Sequence, residues 1–181
     1  MRKIPTLFRR DPDDLRRVSR EVHPDCQWVL DGEGVPTRKY DGTCVRLDDA
    51  GQWWARREVK AGKSAPAGFE AVQTDPATGK TMGWEPMAQS AFAKFFEEAR
   101  AGDEKPGTYE LCGPKVNGDP EKLGVHRLVP HATAEEFDDV PRDFDGLMSW
   151  LLAHPEFEGV VWHHPDGRMA KLKVRDARTS A

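Results

Sequence analysis

Residues 36–47 read Pro-Thr-Arg-Lys-Tyr-Asp-Gly-Thr-Cys-Val-Arg-Leu, a strand-like segment interrupted by an Asp-Gly pair. Asp-Gly is a turn signal, and residues 48–51 form a second one before the aromatic-rich segment 52–56. Two short strand patterns joined by such a turn predict a β-hairpin. The segment also places Lys39 two residues before the Asp-Gly pair, which makes it a candidate reactive amine.

On either side of this hairpin the chain alternates strand patterns with helical ones. Helices are predicted over 90–101, with Ser90 as cap, and over 143–154. A further helical turn is predicted within 13–20, and 62–87 is interpreted as a long loop. Further strands are predicted at 3–8, 27–30, 107–112, 126–131, 158–164 and 168–174. Many short strands with two helices predict an α+β fold of mostly antiparallel sheet.

Composition limits the class of protein. A chain of 181 residues is long enough for one domain with a core, and the segment needed to cross a membrane, about 20 apolar residues, is missing. The net charge of −4 argues against holding nucleic acid by bulk electrostatics, although basic residues gather in 1–20 and 168–178. Three widely spaced cysteines predict neither a disulfide framework nor a zinc site, which indicates a reducing cytoplasm.

Four further motifs follow Lys39-Tyr40-Asp41-Gly42 in order along the chain. Arg56 ends the second hairpin strand, and Glu110 lies at the centre of Thr108-Tyr109-Glu110-Leu111-Cys112-Gly113. Next come Glu158-Gly159-Val160-Val161-Trp162 and Lys171-Leu172-Lys173. Lys171 and Lys173 alternate by two and therefore share one face of a strand. Taken alone, that pair is equally typical of an exposed edge strand, where lysines are common.

In order and residue type these segments resemble the motifs usually called I, Ia, III, IV and V of covalent nucleotidyltransferases. Segments specific to one branch make the chain most similar to ATP-dependent RNA ligases, in the family that contains the animal-type 5′–3′ RNA ligase. They are the Asn-Gly-x-Pro segment at Val116-Asn117-Gly118-Asp119-Pro120 and the Pro-His segment at Leu128-Val129-Pro130-His131. The resemblance also rests on other segments, among them Gly83-Trp84-Glu85-Pro86. The resemblance implies an α+β nucleotidyltransferase domain, the ATP-grasp-like adenylation domain of ligases, over residues 1–181.

The resemblance also implies the site. Lys39 would be the catalytic nucleophile, Glu110 would accept hydrogen bonds from the ribose, and Glu158 would hold a metal or orient the lysine. The nucleotide-binding set it implies is Arg38, Asp41, Gly42, Arg56, Glu110, Glu158, Val160, Lys171 and Lys173. A lysine attacks phosphorus only as the neutral amine, and nearby cations or a metal favour that form.

Some roles stay open at this point. Asp41 could orient the backbone or the nucleotide, or serve only as a turn residue. The apolar contact to adenine could come from Val160 or Val161 on one side. On the other side the choice among Leu128, Pro130 and His131 is open.

The implied activity is ATP-dependent joining of an RNA 5′-phosphate to a 3′-hydroxyl through a lysyl-AMP intermediate. It would use ATP and Mg²⁺, with Mn²⁺ as a substitute, in a monomer. Cys44 stands where DNA ligases usually carry an arginine, which favours RNA. Only eight residues follow Lys173, so no C-terminal oligonucleotide-binding fold is expected. Basic residues near the N-terminus are candidates to orient pyrophosphate or to grip RNA instead: Arg2, Lys3, Arg9 and Arg10.

Two alternatives remain at this stage. One is a self-adenylylating nucleotidyltransferase with an acceptor other than RNA. The other is a non-catalytic RNA-binding module that has kept the fold.

Overall fold

The computed structural model describes residues 2–180. The elements in chain order are β1 (Phe8–Arg10), β2 (Val18–Val22), α1 (Gln27–Leu30), β3 (Val35–Lys39), β4 (Thr43–Leu47), β5 (Trp53–Val59), β6 (Glu70–Thr74), β7 (Thr81–Pro86), α2 (Ala93–Ala99), β8 (Gly107–Cys112), β9 (Arg127–Pro130), α3 (Phe144–Ala153), β10 (Gly159–His163), β11 (Met169–Lys173) and α4 (Val174–Ser180). All pairs between these strands are antiparallel. The predicted α+β class is therefore confirmed.

The described residues form two compact units, each with its own core. The discontinuous unit is made of residues 4–40 and 134–180, and the central unit is made of residues 41–133 together with Arg2 and Lys3. The prediction of one adenylation domain over residues 1–181 stays a prediction, and Met1 and Ala181 lie outside the described residues.

The discontinuous unit is built around a three-stranded sheet in the order β11-β10-β3. Single bridges continue it at both edges, from Thr6 to Lys171 beside β11 and from Glu136 to Thr37 beside β3. The helices α3 and α4 pack together. The apolar side chains of this unit form one buried cluster, which includes Leu7, Phe8, Trp28, Val29, Leu147, Leu151, Val160, Trp162 and Leu172.

Helix α3 follows from its sequence. The Asp143 carboxylate accepts a hydrogen bond from the Gly146 N–H at 2.8 Å, which caps the first turn. Leu147, Trp150 and Leu151 then recur at helical spacing and are buried. The predicted helix over 143–154 is confirmed to within one residue at each end.

Arg142 ties the start of this helix to the turn after α1. Its guanidinium donates to three backbone carbonyl oxygens, those of Val29 (2.9 Å), Glu33 (2.6 Å) and Gly34 (2.9 Å). Burial lowers the pKa of Arg142. We expect Arg142→Met to lower the free energy of unfolding by about 3 kcal/mol, because these charged hydrogen bonds are lost and carbonyls are left without donors.

Urea unfolding followed by tryptophan fluorescence measures this loss. Arg9→Met is the control, because Arg9 is half-exposed and pairs with the exposed Glu21, so its loss should change stability far less. Equal losses in the two variants would contradict the role given to Arg142.

The central unit contains a six-stranded antiparallel sheet in the order β6-β7-β5-β4-β8-β9. The predicted hairpin is β4–β5, and the Asp48 carboxylate closes its turn by accepting from the N–H groups of Ala50 (3.0 Å) and Gln52 (2.8 Å). One face of the sheet is apolar and packs against α2, through Val45, Leu47, Trp53, Ala55, Phe96, Tyr109 and Leu111. The alternate residues, including Cys44, Arg46, Arg56 and Glu110, point to the other face.

Three local predictions are wrong near the N-terminal half of the chain. Gln27–Leu30 is helix α1 and not a strand, because the preceding turn begins at Pro24, is capped by the His23 side chain and leads straight into helical backbone. The expected helical turn within 13–20 gives way to β2, which pairs with β1. The expected loop over 62–87 contains strands β6 and β7.

Strand pairing explains why the predictions for 13–20 and 62–87 are wrong. Strand β7 pairs along its whole length with β5 and carries the fully buried Trp84, so tertiary burial fixes a segment whose glycine and threonine content favours a loop. The helix expected over 90–101 is shorter, from Ala93 to Ala99. Within residues 2–180, no helix combines the length and apolarity that crossing a membrane requires.

Candidate active site

Three lysines share one face of the β11-β10-β3 sheet, which we term the lysine face. Gly159 in the middle strand lies opposite both Lys39 and Lys173, and Val161 lies opposite Lys171. Residues directly opposite each other on antiparallel strands point to the same side. The predicted common face of Lys171 and Lys173 is therefore confirmed, and the sheet adds Lys39 to it.

Glu158 connects two of these lysines. The Lys39 ammonium donates to Glu158 Oε2 at 2.5 Å, and the Lys173 ammonium donates to Glu158 Oε1. The three side chains are only 13–18% exposed. Burial alone raises the pKa of Glu158, but the charges and hydrogen bonds of Lys39 and Lys173 outweigh it and hold the pKa below its ordinary value. Glu158 is thus a carboxylate that orients two amines.

Gly159 is required by the close backbone around this cluster. A β-carbon at this position would lie 2.1 Å from the carbonyl oxygen of Leu172 and 2.7 Å from the Cα of Lys173. Its φ of +155° is also one that other residues rarely adopt. The glycine therefore allows β10 to begin directly after Glu158, between the two lysine-bearing strands.

Arg38 and Val160 lie on the opposite face from Lys39, because neighbouring residues of a strand alternate. Val160 is fully buried in the core, whereas Val161, 8% exposed, is on the lysine face. The Arg38 guanidinium lies 4.7 Å from the ring centroids of both Tyr40 and Phe157. The structure therefore does not bring Arg38 and Val160 to the lysine face, and Val161 is the valine on that face; the contact to adenine stays a prediction.

In the central unit, Glu110 is held by two other groups. Its Oε1 accepts from the Gly42 N–H at 3.2 Å, and its Oε2 lies 3.1 Å from Nε2 of His131. Nδ1 of His131 in turn lies 2.9 Å from the Thr108 hydroxyl. Glu110 is 8% exposed. The structure brings the predicted residues Gly42 and Glu110 together, while the ribose-binding role of Glu110 stays a prediction.

Arg56 lies on the same face of the central sheet as Glu110, since Cys44 pairs with Glu110 and Arg56 has the same alternation on the next strand. Its guanidinium lies 5.5 Å from the ring centroid of the buried Trp84. Burial lowers the pKa of Arg56. The arginine is thus a desolvated cation stacked on an indole.

Sequence reasoning missed the residues that hold Asp41 and Gly42. The Asn117 amide donates to Asp41 Oδ1 at 2.9 Å and to the Gly42 carbonyl at 3.0 Å. The Glu121 carboxylate accepts from the Asp41 N–H at 2.8 Å. A β-carbon at Gly42 would lie 2.3 Å from the Leu111 carbonyl oxygen. These contacts favour a backbone-orienting role for Asp41. The sequence signals for Asn117 were its Asn-Gly turn and its place in a segment that resembles RNA ligases, and neither gave it a contact.

The described residues contain no group of three or more His, Cys, Asp or Glu side chains that could hold a metal ion. Mg²⁺ in nucleotide sites is commonly held by one or two carboxylates together with phosphate oxygens and water. Glu158 lies beside the candidate nucleophile and fits the requirement for one such carboxylate. The described residues thus contain no preformed metal cage, and a metal-holding role for Glu158 stays a prediction.

Comparison with known proteins finds sequence similarity over part of this chain. Residues 102–177 match a family model described as RNA ligase 1. Over 72 residues the chain is 39% identical to RNA ligase 1 of Danio rerio and 35% identical to RNA ligase 1 of Pongo abelii. Each alignment covers 36% of this chain and 22% of the relative's length. The chain is thus similar to RNA ligase 1 over this segment, which spans about a fifth of the relatives' length.

The family match covers five of the predicted site residues, Glu110, Glu158, Val160, Lys171 and Lys173, but not Lys39. The assignment of Lys39 therefore rests on its motif and on its contact with Glu158. This contact joins Lys39, which lies outside the matched segment, to Glu158, which lies inside it.

Proposed function

We propose that this chain is the nucleotidyl-transferring part of an ATP-dependent RNA ligase. The Lys39 amine would attack the α-phosphorus of ATP, forming a phosphorus–nitrogen bond to AMP as pyrophosphate leaves. AMP would then pass to the 5′-phosphate of RNA. A 3′-hydroxyl would displace it, leaving a 3′–5′ phosphodiester and free AMP. The similarity to RNA ligase 1 supports RNA as the acceptor.

The observation that carries this proposal is the contact of Lys39 with Glu158 beside Lys173. A nucleophilic lysine needs a fixed direction and surroundings that favour its neutral form. Glu158 provides the direction. Lys173, together with Lys171 on the same face, supplies positive charge that would stabilise the phosphoryl oxygens and the departing pyrophosphate.

Bound Mg²⁺ would neutralise phosphate charge, and Mn²⁺ would substitute for it. Glu158, the carboxylate between Lys39 and Lys173, would hold the ion, because Mg²⁺ in nucleotide sites is commonly held by one or two carboxylates together with phosphate oxygens. The monomeric state and the cytoplasmic location remain part of the proposal.

The test is incubation of the protein with Mg²⁺ and ATP labelled at the α-phosphate. We expect one label per chain that is stable in alkali and released by acid, as a lysine phosphoramidate is. Adding 5′-phosphorylated RNA with a free 3′-hydroxyl should move the label first to the RNA end and then to free AMP, with a joined product. The same RNA with a 5′-hydroxyl in place of the 5′-phosphate is the matched control, and it should accept no label from the protein.

The outcomes separate the alternatives. A protein that takes the label but never passes it to RNA would be a nucleotidyltransferase with another acceptor. A protein that takes no label at all, yet binds RNA, would be a non-catalytic module. The presence of chemically competent side chains at Lys39, Glu158, Lys171 and Lys173 favours catalysis.

A further inference from the structure

Asp176 is a deeply buried carboxylate to which the proposed reaction gives no part. It lies in the first turn of α4, three residues after Lys173, and is 1% exposed. A buried carboxylate is costly unless its oxygens are paired. Its partners therefore show what holds it in place.

Each oxygen of Asp176 has a partner. Oδ1 accepts from the guanidinium of Arg10 at 2.8 Å, and Oδ2 accepts from the backbone N–H of Lys173 at 3.0 Å. Arg10 is itself fixed, because the same nitrogen lies 3.3 Å from the carbonyl oxygen of Arg16. Asp176 thus joins β1 to the last residue of β11.

The same chain of contacts reaches the lysine face. The backbone of Lys173 is held by Asp176, and its side chain donates to Glu158. The next residue, Val174, donates its N–H to the Glu158 carbonyl oxygen at 2.9 Å. Glu158 in turn orients Lys39. Displacement of Asp176 would therefore move Lys173 relative to the carboxylate that aims the nucleophile.

We infer that Asp176 and Arg10 form a positioning pair that sets Lys173 against Glu158 and Lys39. This inference rests on the proposed function, because the position of Lys173 matters for activity only if Lys39 and Lys173 act in nucleotidyl transfer. Arg10 then acts through Asp176, and a direct role in orienting pyrophosphate or gripping RNA is not needed to explain it. Its neighbour Arg9 differs, since it pairs at 3.2 Å with Glu21, and both side chains are about half-exposed or more.

The kinetic test compares Asp176→Asn, Asp176→Ala and Arg10→Gln with the control Arg17→Gln, which changes an exposed arginine of the same region. Misplacement of a reacting group by about 1 Å costs roughly a hundredfold in rate. We expect Asp176→Ala to lower the rate of lysyl-AMP formation about tenfold to a hundredfold, with a KM for ATP changed less than about threefold. Asp176→Asn keeps an acceptor for the Lys173 N–H and should lose less. Arg10→Lys should recover much of what Arg10→Gln loses.

A second measurement does not depend on ATP chemistry. Lys173 is 18% exposed in its ion pair, whereas Lys60 and Lys63 are exposed and serve as internal standards. Brief acetylation followed by mass spectrometry should modify Lys173 slowly in the wild type and several times faster in Asp176→Asn and Arg10→Gln, with Arg17→Gln unchanged. Thermal unfolding confirms that each variant is folded at the assay temperature.

The results distinguish the two claims. Unchanged protection of Lys173 in folded Asp176→Asn and Arg10→Gln would overturn the positioning pair. Equal rate losses in Arg17→Gln and Arg10→Gln would also overturn it. A wild-type protein that takes no label from ATP would overturn the proposed function instead, and the acetylation result would still show whether the pair positions Lys173.

Discussion

Lys39→Ala should abolish the transfer of AMP from α-labelled ATP to the protein, a loss of more than about a thousandfold. No covalent intermediate can form without the attacking amine. Lys39→Arg should fail equally, because a guanidinium keeps its proton at any workable pH and cannot attack phosphorus. The measurement is label retained on the denatured chain per folded molecule.

The matched control is Lys60→Ala, which removes an exposed lysine just beyond β5. It should leave labelling unchanged. In Lys39→Ala, Glu158 keeps its contact with Lys173, so the variant is expected to remain folded. Full acid-labile labelling of folded Lys39→Ala would show that another residue carries AMP.

Glu158→Gln should affect both rate and stability. The variant loses the carboxylate that orients Lys39 and Lys173, and the rate of lysyl-AMP formation should fall about a hundredfold to a thousandfold, a range typical of losing one preorganised electrostatic contact. It also leaves two largely buried ammonium groups without their counter-ion, which costs about 3 kcal/mol in the free energy of unfolding.

Glu156→Gln is the control, two residues earlier and exposed, and should change neither quantity. The double variant Glu158→Gln with Lys173→Gln should recover part of the stability, because one uncompensated cation is removed, but none of the activity. If stability falls and the labelling rate per folded molecule does not, Glu158 would be structural and the proposed geometry of attack would be wrong.

Alternating sequence patterns predicted much of the sheet structure. The β4–β5 hairpin and the strands β8, β10 and β11 lie close to where alternation and turn residues place them. Short segments went wrong where tertiary contacts override local preference. Gln27–Leu30 contains too few residues to tell a strand from one helical turn, and only the capped turn before it settles the matter.

The candidate site was predictable as residue types but not as contacts. The motif order identified Lys39, Glu158 and Lys173, yet the pairing register that unites them joins strands from distant parts of the chain. The same register decides that Val161, and not Val160, shares the lysine face. The parts played by Asn117 and Asp176 depend on hydrogen bonds from a loop and a helix start, which leave no periodic signal.

The discontinuous unit has a consequence for how the protein is made. Lys39 and Glu158 are 119 positions apart in the chain, and residues 41–133 of the central unit are synthesised between them. While the ribosome is still making those residues, β3 carries Lys39, the proposed nucleophile, but has no β10 to pair with. Closing so long a loop is slow compared with forming local hairpins. In a nascent chain Lys39 therefore lacks its contact with Glu158. Competence for the proposed nucleotidyl transfer should appear only late in folding, when β10 and β11 join the sheet.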